Sequence, residues 1–405
     1  MSTLEIDQKY NVRPFVDVHE TKLKNEIPIV RLDAVDLSQY VSGPEGYASR
    51  VELAKVLEAS ITTYGFFNLV NFGYDLEKIE HLRAVAQSLL QLPSEEKGKY
   101  LASTWRKEDE PPIDENFLGG ERGQGFKPKG YWPISEGVRD SITHYNFKHL
   151  LQEDYFLSHL DQHPELVRAH AHEILAWYQF IHNDILLKIS NLCDIILGLQ
   201  EGTIWERVFK SDSQDEKKSA GGHARFMLYE PYDDENSLKS NQTWLRGHSD
   251  ISGFSFITSQ PMLTLQIKDY FDGEWKYVDH RPGSLIVNIG DAMEFISGGY
   301  FKACLHRVVE PPQDQKRHDR IVLIYFCNPK DGTPLNPDFY ESSKLKSLGY
   351  SKADKLKNWE DITFADWNTA KGQTLGRKNV GERNQIIVYG RNLERWHHFE
   401  AAAVN

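Results

Sequence analysis

The chain has 405 residues, 40% of them apolar and 26% charged, the composition of an ordinary globule able to bury a sizeable core, as one large domain with extensions or as two or three domains. Its formal net charge of −12 argues against a nucleic-acid or polyphosphate partner, which needs clustered Lys and Arg. Only three cysteines are present, Cys193, Cys304 and Cys327, far apart, which speaks against a disulfide framework and for a reducing, cytoplasmic setting.

Residues 1–26 read as an irregular polar arm, too polar for a secretory signal. No run of about 18 apolar residues follows anywhere, so no membrane span is expected. "IPIVRL" (27–32) predicts a first strand, the spacing of Val51, Leu53, Leu57 and Ile61 a helix over 46–63, and "YGFFNLVNF" (64–72) a buried strand. Ile79, Leu82, Val85, Leu89 and Leu90 predict a helix over 76–92, stopped by Pro93. Residues 102–145 are rich in Gly, Pro and charge and read as long loops, which are often functional. The strongest helical stripe, Leu166 to Ile196, predicts a core-supporting helix over about 164–199.

After about 220 the texture changes. Short β-rich runs such as "HARFMLYEP", "FSFITS", "SLIVNIG" and "RIVLIYFCN" alternate with turns such as "FDGEW" and "RPGS", the pattern of an antiparallel sandwich or barrel. Residues 211–222 and 233–242 read as exposed loops, and 340–405 return to a helical, charged texture.

Within the β-rich part, "HSD" places His248 and Asp250 two residues apart, on one face if the segment is extended. Among sixteen histidines such a triplet is expected by chance and carries little weight alone. A third ligand lies in "CLHRVVE", where alternation sets His306 on one face of a strand. Two histidines and a carboxylate suit non-haem Fe(II), with three open coordination positions, and equally a catalytic zinc with one. Arg320 opens "RIVLIYF"; a guanidinium inside an apolar run needs an acidic partner, and its fork suits a carboxylate. His223 and Arg225 lie near Tyr229 in sequence. Phe254 and Phe256 would share the face of Asp250 on a regular strand and could border a substrate; Tyr131 and Trp132, in the Gly-rich loop, are candidate lid or substrate contacts.

These motifs, in this order, carry a resemblance. Across 222–330, through "ARFMLYEP", "HSD", "LTLQIKDYFDGEWKYVDHRPGSLIVNIGDAMEFISGGYFKACLHRVVEPP" and "RIVLIYFCNP", the chain resembles the 2-oxoglutarate-dependent Fe(II) dioxygenases of the isopenicillin N synthase-like type. "YGFFNLVNFG" and "LPSEEKGKY" look like that family's N-terminal region. The resemblance implies a mixed α/β protein with an all-β core, a distorted double-stranded β-helix (jelly roll) with packed N-terminal and supporting helices. It implies Fe(II) held by His248, Asp250 and His306, and 2-oxoglutarate held by Arg320 with help from Tyr229. With O2, the reaction would release succinate and CO2 and hydroxylate, desaturate or cyclise a small, largely apolar molecule, most often one of specialised metabolism. The chain departs from the family pattern in having Val322 two residues after the arginine, where serine is usual. Met227 stands two before the tyrosine, where asparagine is usual, and Leu263-Thr264 replace a glycine pair.

The expected organisation is an arm (1–26), a helical and stranded region (27–200) with the loop 102–145, a jelly-roll core (201–335), and a helical extension (336–405). The extension or the loop is expected to close over the pocket and set substrate choice. Rival readings are an oxygenase of the same fold that uses no 2-oxoglutarate, a zinc hydrolase, and a non-catalytic jelly-roll binding protein.

Overall fold

In the computed structural model, which describes residues 2–102, 123–135, 137–212, 219–352, 356–374 and 387–392, two β-sheets face each other. In chain order the strands are β1 (Ile29–Val30), β2 (Ala34–Asp36), β3 (Phe66–Val70), β4 (Gly125–Lys127), β5 (Pro133–Ser135), β6 (Val138–Arg139), β7 (Ile142–Phe147), β8 (Ala220–Tyr229) and β9 (Thr243–His248). They continue as β10 (Phe254–Thr258), β11 (Leu265–Lys268), β12 (Trp275–Val278), β13 (Leu285–Ile289), β14 (His306–Val309), β15 (Arg320–Lys330), β16 (Ile387–Val388) and β17 (Arg391–Asn392). The large sheet runs β2-β3-β13-β10-β15-β8-β7-β4 and the small one β1-β12-β11-β14-β9. Pairing is antiparallel except for β1 with β12 and β2 with β3. This is the expected jelly-roll core.

The large sheet is covered on both faces, which is why "RIVLIYF" reads as one apolar run rather than an alternation. Ile321, Leu323, Tyr325 and Cys327 of β15 pack with Phe226, Leu228, Phe254 and Phe256 against the helical side. Val322 and Ile324 face the other way and join Met227, Tyr229, Trp244, Ile267 and Val308 in a second core between the sheets. The helical side is built from α1 (Thr3–Lys9), α2 (Tyr47–Thr63), α3 (Leu76–Leu90), α4 (Ala171–Phe180), α5 (Leu187–Leu197) and shorter pieces. The stripe expected over 164–199 is buried, but a turn at His170 and a π-helical segment, Ile181–Leu186, interrupt the single helix, and Gly198 in the left-handed region ends it.

Four expectations change. The polar arm begins with α1, started by a capping box in which Ser2 and Glu5 satisfy each other's main chain. The arm is then tied along the molecule by Asp17 to Arg83, Thr21 to Asp314 and Lys24 to Asp279. Residues 123–147 are not loop: β4 and β7 extend the large sheet, so the boundary near 200 does not divide it. Residues 103–122 lie outside the described residues. Residues 234–239 form a short helix capped by Asp233, because Asp233 accepts from the Asn236 N–H. In the extension, α7 (Phe364–Thr374) is not charged surface throughout, since Trp367 and Lys371 are fully buried. The segment between them and the core, α6 (Asp291–Ile296), is wholly buried as well. Residues 375–386 and 393–405 lie outside the described residues. Among the described residues, no helix is long and apolar enough to cross a membrane.

Candidate metal and co-substrate site

β9 and β14 are neighbours in the small sheet, and their register sets His248 directly opposite His306. Their rings lie 4.4 Å apart between centroids. Each imidazole is oriented by its own strand: the Nδ1–H of His248 donates to the Arg246 carbonyl at 2.8 Å, and that of His306 to the Cys304 carbonyl at 3.2 Å. A carbonyl only accepts, so Nδ1 carries the proton and Nε2 keeps its lone pair. Both Nε2 atoms lie 3.7 Å from Oδ1 of Asp250. Three ligand atoms thus converge within 4.8 Å of one another.

Asp250 sits in the turn between β9 and β10. Its Oδ2 accepts from Ser255 Oγ at 2.6 Å and from Asn288 Nδ2 at 2.9 Å, which leaves Oδ1 for the space between the histidines. Burial alone would raise its pKa, but His306, His248 and the two hydrogen bonds outweigh it and hold the carboxyl at about 2. Burial, with the neighbouring His248, pushes His306 down to about 4, so this imidazole is neutral at neutral pH. Two imidazole nitrogens turned to one ionised carboxylate, with His306 neutral, make a donor set a divalent metal can use. The donor set therefore fits the ion.

The turn is pinned from behind. Lys371 of α7 donates to the Ser249 carbonyl at 2.8 Å and the Ser249 hydroxyl at 2.9 Å, and pairs with Asp291 of α6. The Asp291 N–H donates to the Asp250 carbonyl at 2.8 Å. Gly290 lets these chains meet, because a Cβ there would stand 2.0 Å from the Ser252 carbonyl oxygen.

A second cluster of histidines and acids, Asp7, His81 and His170, differs in kind. The His170 Nε2 and Nδ1 face Asp7 and Glu173 at 2.8 and 3.4 Å, and the His81 Nδ1 faces Glu173 at 2.9 Å. With carboxylates facing their nitrogens, these rings clip α1 to α3 and α4.

Arg320 opens β15 opposite Tyr229 of β8, on the face turned toward the small sheet. The guanidinium carbon stands 5.0 Å from the Tyr229 ring centre. Arg320 is 5% exposed; among the described residues its Nε has no partner and no carboxylate lies within ion-pair distance of it. The acidic partner that its burial demands is not supplied by the described protein, which fits a carboxylate ligand. Val322 and Met227 do stand beside it as apolar neighbours, on the adjoining row of the same face.

Phe254 requires a correction. It is fully buried and packs on Phe209 in the helical-side core, 5.7 Å between ring centres. Asp250 precedes β10 rather than lying in it, so strand parity does not carry across; Ser255, not Phe254, faces the carboxylate. Trp132 stacks on His144 of β7 at 5.5 Å, and Tyr131 packs edge-on against Trp132. The groups that sequence reasoning passed over are Ser255, Asn288 and Lys371. The i, i+5 distance of Ser255 from Asp250 was the one local signal; Asn288 and Lys371 come from remote elements.

Residues 222–329 match the model of the 2OG-Fe(II) oxygenase superfamily, and residues 32–154 that of the N-terminal region described as non-haem dioxygenase in morphine synthesis. The feruloyl CoA ortho-hydroxylase F6H1-1 of Ipomoea batatas is 24% identical, over 88% of this chain and 90% of its own length. The 2-oxoglutarate-dependent dioxygenase citB of Monascus ruber is 24% identical over 73% of this chain and 84% of its own. In fold, the chain is similar to a full-length Neurospora crassa protein crystallised with alpha-KG, at a TM-score of 0.61 and 17% identity, covering 84% of this chain and 94% of that one. The dioxygenase for auxin oxidation of rice superposes at a TM-score of 0.60 and 18% identity, over 85% and 99%.

A jelly roll with a two-histidine, one-carboxylate cluster between its sheets defines the non-haem oxygenase class. Within that class, the chain is a 2-oxoglutarate-dependent Fe(II) dioxygenase. It is an enzyme that uses Fe(II), 2-oxoglutarate and O2 on a small molecule, which sets aside the zinc-hydrolase and binding-protein readings.

Proposed function

We propose that His248, Asp250 and His306 are the iron ligands of this enzyme, that Arg320 and Tyr229 hold 2-oxoglutarate, and that the substrate is a small molecule of specialised metabolism. The observation that carries this reading is the pairing of two sites in one inter-sheet space: three ligand atoms that converge within 4.8 Å of one another, and a buried guanidinium that meets no acid among the described residues. The feruloyl CoA and citB relatives support the substrate class. The three buried, unpaired cysteines support a reducing, cytoplasmic setting.

When bound, iron with 2-oxoglutarate and O2 supplies the oxidation, which converts the co-substrate to succinate and CO2. The chain's own part is orientation. Arg320 attracts and aligns the far carboxylate, and Tyr229 backs the guanidinium with its ring. Ser255 and Asn288 hold Asp250 with Oδ1 forward, and the ladder β9–β14 fixes both imidazoles before any ligand arrives. Met227 and Val322 make the co-substrate's walls apolar, excluding water from the reacting region.

Succinate release with Fe(II) and 2-oxoglutarate, across a panel of small molecules, tests the reading. His248→Ala, Asp250→Ala and His306→Ala should each abolish turnover and iron retention. An enzyme that oxidises its substrate at full rate without 2-oxoglutarate, or a His306→Ala variant that binds Fe(II) as tightly as the parent, would overturn it.

A further inference from the structure

On the inner face of the large sheet, two side-chain cations remain after the iron and co-substrate are accounted for: Arg225, and Lys127 of β4, which stands opposite His144 and over the Tyr131 and Trp132 rings, its pKa drawn down to about 7 by burial. The ligand charges cancel: a divalent iron and Arg320 balance Asp250 and the two carboxylates of 2-oxoglutarate. Arg225, two rows along β8 from Tyr229, is outside that balance. Its Nε donates to Asn146 Oδ1 at 2.7 Å, and its guanidinium carbon stands 5.3 Å from the Phe326 ring centre. Among the described residues, no carboxylate lies within ion-pair distance of it. Arg225 is half-buried. Burial draws its pKa down to about 10, which leaves it charged at neutral pH.

The surroundings of Arg225 are flat and apolar. Register places His223 opposite Phe326, and Phe326 opposite Ser255, on the row that includes the two groups gripping Asp250. The His223 and Phe326 rings stack at 4.6 Å. One row beyond Arg225, His144 stands opposite Met227, stacked under Trp132. His144 is 1% exposed, and among the described residues neither of its ring nitrogens has a hydrogen-bond partner. Arg225 therefore lies between two aromatic stacks, about 7 Å along the strand from the row that supports the metal ligand. Asp140, the other acid of this region, is occupied by the main-chain N–H groups of Trp132 and Ile142.

We propose that the oxidised substrate is a small carboxylic acid with a flat apolar body. Arg225 receives its carboxylate, the unpartnered edge of His144 adds a hydrogen bond, and the His223–Phe326 and His144–Trp132 stacks flank the body. A single guanidinium, with Nε already engaged, presents two Nη groups, which match one carboxylate rather than a phosphate dianion. This rests on the iron and co-substrate reading above and narrows the substrate class of the same site.

The test measures binding, with Mn(II) in place of Fe(II) and 2-oxoglutarate present, so that no turnover occurs. The probes are aryl and alkyl carboxylic acids such as trans-cinnamate, each compared with its methyl ester, and phenyl phosphate. The parent should prefer at least one acid over its ester. Arg225→Met should weaken that acid on the order of 30-fold, the loss of a hydrogen-bonded charge contact, and leave the ester within about threefold. Arg225→Lys should restore part of the preference, and thermal melting would show whether Arg225→Met stays folded. If no acid in the panel outbinds its ester, or phenyl phosphate outbinds every acid, the proposal is overturned. If Arg225→Met instead loses affinity for 2-oxoglutarate, Arg225 serves the co-substrate and the proposal again fails while the dioxygenase reading stands. If the parent binds neither Mn(II) nor 2-oxoglutarate, the failure belongs to the iron and co-substrate reading.

Discussion

Lys371→Met should be among the most damaging single changes in this protein, although the residue lies 122 positions from the turn it holds. Methionine keeps an unbranched apolar stem and removes the charge. Three contacts go with it: the pair with Asp291 and the two hydrogen bonds to Ser249, the residue between His248 and Asp250. Asp291 would keep the Trp367 Nε1–H, at 2.9 Å, as its side-chain donor from α7. Breaking a buried pair by removing one partner costs about 3–5 kcal/mol, because the other charge stays buried. Burial already raises the Asp291 pKa, and Lys371 opposes that rise. Without Lys371 the folded pKa climbs further above its unfolded value, so the variant is most stable in acid and loses stability as pH rises through the folded value. Urea unfolding at mildly acidic and mildly alkaline pH should therefore show a deficit that widens with pH. Lys371→Met combined with Asp291→Asn should recover much of it, since no charge is then stranded. Iron affinity should fall about tenfold in the single variant, as expected when an outer support of a ligand is lost. A single variant within about 1 kcal/mol of the parent at alkaline pH would refute the argument, since that is less than a broken buried pair allows.

Arg320→Ala should weaken 2-oxoglutarate by a factor on the order of 30 to several thousand, the range for truncating one side of a buried charge pair, read from the co-substrate dependence of succinate release. Tyr229→Phe should cost about one neutral hydrogen bond, roughly fivefold; equal losses in the two variants would contradict the primacy of charge. Ser255→Ala and Asn288→Ala should each lower iron affinity by about tenfold to a hundredfold with the fold intact, measured by metal titration; unchanged affinity in both would mean that Asp250 needs no orientation. The clip on α1 should loosen with rising pH. Burial lowers the His170 pKa, but Glu173 and Asp7 raise it more. A raised histidine stabilises fully below its unfolded value of about 6.5, and its contribution is lost as pH climbs through the folded value. Limited proteolysis of the arm should accelerate over that range in the parent and much less in His170→Gln; equal pH dependence in both would sink the idea.

What could be read from the sequence was what alternation can carry. His306 lies in a strand, its imidazole is aimed by strand geometry, and Arg320 opens a strand whose apolar run announces two buried faces. Alternation failed at Phe254 because Asp250 belongs to a turn, and a turn resets which face comes next. It failed over 123–147 because β4 is an edge strand and β7 is rich in polar side chains that point into the inter-sheet space. The capping box at Ser2 and Glu5 was a local signal that composition obscured. Lys371 and Asn288 had no local signal at all. A lysine in a polar helix reads as solvated, and only the packing of α7 against α6 makes it internal.

The guanidinium of Arg320, which meets no acid among the described residues, has a consequence for the stability of the protein if it holds 2-oxoglutarate as proposed. A buried positive charge that meets no acid among the described residues lowers the stability of the folded enzyme, and the proposed binding of a dicarboxylate would relieve that cost. Whatever binds the native state alone then stabilises it by mass action, in proportion to the logarithm of its concentration above the dissociation constant. Resistance to heat and to proteases would thereby rise with 2-oxoglutarate concentration. On that proposal, the enzyme is easier to unfold and to cleave when 2-oxoglutarate is scarce.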